Sequence, residues 1–98
     1  MFTSVENRGF QIQFSNGWTI SVQFGPGNYC ERQGLDYDAP LKERVWKSQT
    51  AEVAAWDGEG TWYDLDNSRL LDKGDTGVYG YVDANTVATY IDHISSMS

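Results

Sequence analysis

Polar and apolar residues alternate strictly in GFQIQF (9–14) and again in WTISVQF (18–24), with SNG between them. Alternation at period two is the signature of strands with one buried face. Asn-Gly often signals a two-residue hairpin loop, but that loop would put the two apolar sets on opposite faces. A three-residue loop, Ser15-Asn16-Gly17, pairs Phe14 with Trp18, Ile12 with Ile20 and Phe10 with Val22 on one face. A one-residue slip would turn every side chain over, so burial selects the three-residue loop, with Gly17 at positive φ.

Further along, AEVAAW reads as a third strand, TWY as a fourth, and DGEG as the turn between them. The small Ala51, Ala54 and Ala55 predict something packed closely there, such as a helix. VYGYV (78–82) reads as a fifth strand. Asp83 can then cap a helix in which Ala84, Val87, Ala88, Ile91 and Ile94 recur at helical spacing. His93 lies off that stripe and is expected to be exposed. Residues 34–50 read as a loop with a helical turn around Leu41–Trp46, and 65–77 as a mobile loop. The fold class is α+β: an antiparallel sheet of four to five strands with one C-terminal helix packed on one face, all in a single domain, 1–98.

The composition fits a folded domain, since 14% of the 98 residues are aromatic and disordered chains are poor in aromatics. A single Cys forms no internal disulfide and fits a reducing compartment. MFTSVENRGF lacks the basic start and apolar run of a signal peptide. No apolar run approaches the roughly 20 residues that span a bilayer. A cytoplasmic location is the expectation.

The net charge of −7 makes nucleic acid and anionic membranes poor direct partners. In 31–47, Glu31, Asp36, Asp38 and Glu43 balance Arg32, Lys42, Arg44 and Lys47. From 52 to 83 eight acids, among them Asp57, Glu59, Asp64 and Asp66, stand against Arg69 and Lys73. Such acidity reads either as a solvated face or as a surface that occupies a partner's basic groove.

No constellation for catalysis is recognisable. One Cys and one His cannot build a zinc site, and 63 positions separate Cys30 from His93. No glycine-rich phosphate loop precedes a helix, and DGEG lacks the ligand spacing of a calcium loop. Neither metal nor cofactor is implied, and binding is a better expectation than catalysis.

The candidate binding segment is FGPGNYCERQ (24–33). Gly25 and Gly27 permit backbone angles that other residues avoid, and Pro26 between them limits floppiness. Consecutive N–H groups there can cradle an anion. Asn28 donates and accepts, Tyr29 and the nearby Trp46 offer stacking faces, and Arg32 can grip a phosphate. Together these make a kit for a small anionic, nucleotide-like ligand. The competing expectation is that Gly-Pro-Gly merely ends a strand, with Tyr29 and Cys30 in the core and Glu31 and Arg32 solvated.

GFQIQFSNGWTISVQFGPGNYC followed by AEVAAWDGEGTWY resembles a group of small bacteriophage-encoded proteins. Those carry an F-x-NG-x-T-I-S-V-Q-F-G-x-G-N-Y-C block before an A-E-[VI]-A-x-W block. The resemblance covers about the first two-thirds of the chain and implies a setting rather than a reaction. In that setting the chain would be a counter-defence protein that sequesters a nucleotide immune signal. Alternatively it would block a basic host defence protein, through Asp57, Glu59, Asp64 and Asp66, or serve as a structural or accessory phage protein. The aromatic content also exceeds what one thin core needs, so homo-oligomers with pockets at their seams are expected.

Overall fold

The computed structural model describes residues 1–72 and 74–97. Its elements are β1 (Phe2–Ser4), β2 (Gly9–Gln13), β3 (Thr19–Gln23), α1 (Ala39–Lys42), β4 (Thr50–Trp56), β5 (Tyr63–Asp64), β6 (Arg69–Leu70), β7 (Tyr79–Asp83) and α2 (Ala84–Ser95). Five strands form one antiparallel sheet in the order β1-β2-β3-β4-β7, and β5 and β6 form a separate ladder.

The β2–β3 hairpin has the expected register. Phe10 pairs with Val22 and Ile12 with Ile20, while Phe14 N–H donates to Trp18 O at 2.8 Å across the loop. Gly17 takes φ +87°, a backbone angle that costs a side-chain-bearing residue strain. Ile20, Val53 and Ala55 are fully buried on the face this register defines.

Helix α2 begins where expected, with the Asp83 carboxylate accepting from Thr86 N–H at 2.8 Å. That bond, the first cause of the shift, holds the Asp83 pKa below its usual value. Val87 and Ile94 turn inward over β3, β4 and β7. Ala51 and Ala55 lie on the face under the helix, as expected. Ala54 is buried on the opposite face, since side chains alternate along a strand. At the far end, the Asn16 amide donates to Ile94 O at 2.9 Å and to Met97 O at 2.8 Å. The hairpin loop therefore satisfies carbonyls that every helix C-terminus leaves without partners.

Three expectations need correction. TWY does not add a strand to the sheet: Tyr63–Asp64 pairs with Arg69–Leu70, and Trp62 makes one bridge to Trp56. The segment 65–77 therefore contains a strand rather than only loop. The outer place in the sheet goes instead to β1, reached through a turn in which Glu6 and Asn7 both have positive φ. The helical turn near 41–46 lies earlier, at Ala39–Lys42. Pro40 suits its first turn, and Glu43 is already extended, at φ −90° and ψ 134°.

Candidate functional site

The loop after β3 is held by its own atoms. Gly25 N–H donates to Asn28 Oδ1 and Asn28 N–H returns a bond to Gly25 O, both at 3.0 Å. The buried Cys30 thiol points at Gly25 O at 3.5 Å. Tyr29 N–H donates to the Glu52 carboxylate at 2.8 Å, Cys30 N–H to Asn28 O at 2.9 Å and Glu31 N–H to Thr50 Oγ1 at 2.9 Å. The donors expected to cradle an anion are thus largely consumed within the protein. Neither Gly25 nor Gly27 is among the residues with positive φ. What they supply is room: a Cβ on Gly25 would meet the Arg8 side chain at 2.9 Å, and one on Gly27 the Tyr37 ring at 3.1 Å. Arg8 and Tyr37 also stack on each other, the guanidinium carbon 4.3 Å from the ring centroid.

Of the six residues expected to bind, Arg32 and Trp46 come together directly. The Arg32 guanidinium carbon lies 4.2 Å from the Trp46 ring centroid, and its Nε is buried without a hydrogen-bond partner. Trp46 is buried, and its indole N–H donates to Phe24 O at 2.8 Å. Tyr29, by contrast, is 56% exposed rather than in the core. It lies over Gly80, where a Cβ would come within 2.6 Å of the Tyr29 Cβ.

Trp46 leads to the concavity that the sequence did not reveal. Between the N-terminal half of α2 and the sheet lies a cavity of about 510 Å³, within the range of small-molecule sites. Phe10, Val22, Phe24, Ala51, Val82, Ala84 and Val87 form its apolar lining. The segment Trp46–Thr50 and Glu31 form its polar rim. Part of that rim is fixed internally: Gln49 N–H donates to the Glu31 carboxylate and Ser48 Oγ to Thr50 O. The Lys47 ammonium and Gln49 side-chain amide make no hydrogen bond or ion pair among the described residues.

The acidic half divides. Asp64 is buried and satisfied, so it is not part of an accessible acidic face. Its carboxylate accepts from the Tyr79 hydroxyl and from Asn67 Nδ2 at 2.8 Å, and Arg69 Nε lies 3.7 Å away. The Tyr79 and Asn67 bonds favour the ionised form and hold Asp64 down to about 2. Burial first, then the Asp64 carboxylate, pushes Tyr79 up to about 12. Asp57 is half-buried, its Oδ1 accepting from Glu59 and Thr61 N–H of its own turn, both at 2.9 Å. Glu59 and Asp66 remain exposed. A second concavity, of about 460 Å³, gathers Glu59, Asp72 and Asp75 beside Trp62.

His93 is exposed, as its place off the stripe implies, and bonds the Tyr63 hydroxyl at 2.8 Å. It is therefore not paired with Cys30. Among the described residues no group of three or more His, Cys, Asp or Glu is placed to hold a metal ion. No helix there is long and apolar enough to cross a membrane. Compared with protein-family models, curated proteins and solved structures, the chain matches none.

Proposed function

We propose that the protein is a non-enzymatic binding protein whose cavity beside Trp46 takes a flat heteroaromatic group of the nucleobase type. The observation that carries this reading is the cavity's construction. Its aromatic and aliphatic walls suit a ring, while Gln49 and Glu31 offer polar edges and Lys47 a cation for an anionic tail. Arg32 already covers Trp46, so an occupant meets what remains of that ring. In the phage setting that the sequence resemblance implies, the ligand would be a nucleotide-like immune signal and the activity its sequestration.

The test is an NMR titration of ¹⁵N-labelled protein with adenosine and with adenosine monophosphate. The expected result is shifts at the Trp46 indole N–H, Phe24, Ala51 and Val87. They should be larger for the monophosphate and absent in Ala84→Phe, which fills the cavity from an exposed helix position. Shifts confined to Gly25, Asn28 and Tyr29, or none with either probe, would reject the cavity as the site.

A second reading has one observation in its favour: Glu59, Asp72 and Asp75 face a common concavity. An inhibitor that offers these acids to a basic groove would bind in a salt-sensitive way. Capture of a basic host protein would then weaken in a Glu59→Gln/Asp72→Asn/Asp75→Asn variant and persist in Ala84→Phe. Capture unaffected by the triple variant would remove this reading.

A further inference from the structure

The two edges of the main sheet are treated differently. At β7 the ladder is interrupted by a bulge between Ala51 and Val53 of β4, where Tyr81 takes φ +55°. Tyr81 N–H is bonded to Tyr29 O at 2.8 Å and its hydroxyl to Gln33 at 2.6 Å. A bulge and a covering loop are the usual means of closing a sheet edge. At β1 neither is present among the described residues. Gln13 N–H donates to Met1 O at 2.8 Å and Val5 N–H to Gly9 O at 3.0 Å. In an antiparallel ladder the pairs alternate, so Phe2 and Ser4 turn their N–H and C=O groups outward.

The face beside this edge is open too. Phe2 pairs with Ile12, so it belongs to the core face, yet it is 80% exposed. Helix α2 packs on β3, β4 and β7 and on neither β1 nor β2, leaving Phe10, Ile12 and Phe14 half-buried. Charge identifies the occupant. Residues 9–30 carry no charged side chain, nor do 1–5, in a chain of net charge −7. The one charge at this edge, the Met1 ammonium, is tied to Gln13 O at 2.6 Å, so a charged partner gains little from such a surface, whereas two copies, which repel elsewhere, can approach through it.

We propose that two copies of the chain pair antiparallel through β1, about a two-fold axis at Thr3. Phe2 of each copy then exchanges backbone hydrogen bonds with Ser4 of the other, giving one continuous ten-stranded sheet, twice the five strands of each copy. The two Phe2 rings are diagonal neighbours, within aromatic reach, and the uncharged stripe of Phe10, Ile12 and Phe14 flanks the seam. Such an interface is isologous, each surface meeting its own copy.

Sedimentation equilibrium of the full chain and two variants tests this. Ser4→Pro removes only an outward N–H, which an edge strand tolerates, and Phe2→Glu sets a charge on the seam. The wild type should form a dimer that tightens as salt screens the −7 charge. Each variant should dissociate at least tenfold more readily and keep the wild-type thermal midpoint when both are measured as monomers. A wild type still monomeric at about 1 mM, where even very weak specific pairs associate, would overturn the proposal. So would a dimer that both variants leave intact.

Discussion

The two ends of the helix-covered face are built to different standards. At the C-terminal end of α2, Trp18 and Tyr63 meet edge to face at 5.4 Å, Ile94 is fully buried, and Asn16 ties the helix end to the hairpin. Asp64 anchors the adjoining β5–β6 hairpin through Tyr79, Asn67 and two turn N–H groups. At the N-terminal end the cover is a short irregular segment, 46–50, fixed by bonds within itself, to Glu31 and to Phe24 O, and a cavity remains. The contrast shows where polar groups do structural work: at the closed end they lock side chains into a core, while at the open end they rim a space.

Core truncation separates the ends most strongly. Ile94→Ala should cost about 2–5 kcal/mol in urea denaturation. Val87→Ala, at a residue that lines the cavity, should cost about 1 kcal/mol. Equal losses would erase the distinction. Next in size, Asn16→Ala removes two good bonds to the helix end and should cost about 1–2 kcal/mol. An unchanged midpoint would mean those carbonyls find water at no cost. Trp46→Phe keeps a wall of the cavity but leaves Phe24 O without its donor, a loss of about 1 kcal/mol in the same assay.

A last effect is a matter of shape rather than size. Because Asp64 titrates near 2 in the folded chain against an ordinary 3.8, its contribution is complete above about pH 4. It is lost as pH falls toward 2. Asp64→Asn should flatten the stability profile in that window and lower stability at neutral pH. Tyr79, held up to about 12 against an ordinary 10.0, contributes fully below pH 10 and loses that contribution as pH rises toward 12. Superimposable wild-type and Asp64→Asn profiles between pH 4 and pH 2 would contradict this assignment.

The elements legible in the sequence were those governed by local period. Alternation and the demand for a single buried face determined the β2–β3 register, and Asp83 ahead of a helical stripe marked α2. Gly25 and Gly27 misled because a glycine signals either backbone freedom or a close approach, and only the fold brings Arg8 and Tyr37 against them. Asp64 misled because an acid counts as surface until its partner, Tyr79, arrives from 15 positions away. The cavity was invisible for a related reason: its walls come from four separate stretches of chain. Trp46, a tryptophan in a charged loop, was the one local hint.

The most direct test of the binding cavity is native mass spectrometry. Wild type and Ala84→Phe would be incubated alike with the small-molecule fraction of a bacterial extract, then desalted. A nucleotide-sized extra mass is expected on the wild type, released on denaturation and missing from Ala84→Phe. The same mass on both proteins would place any ligand elsewhere, and a bare wild type would contradict sequestration through this cavity.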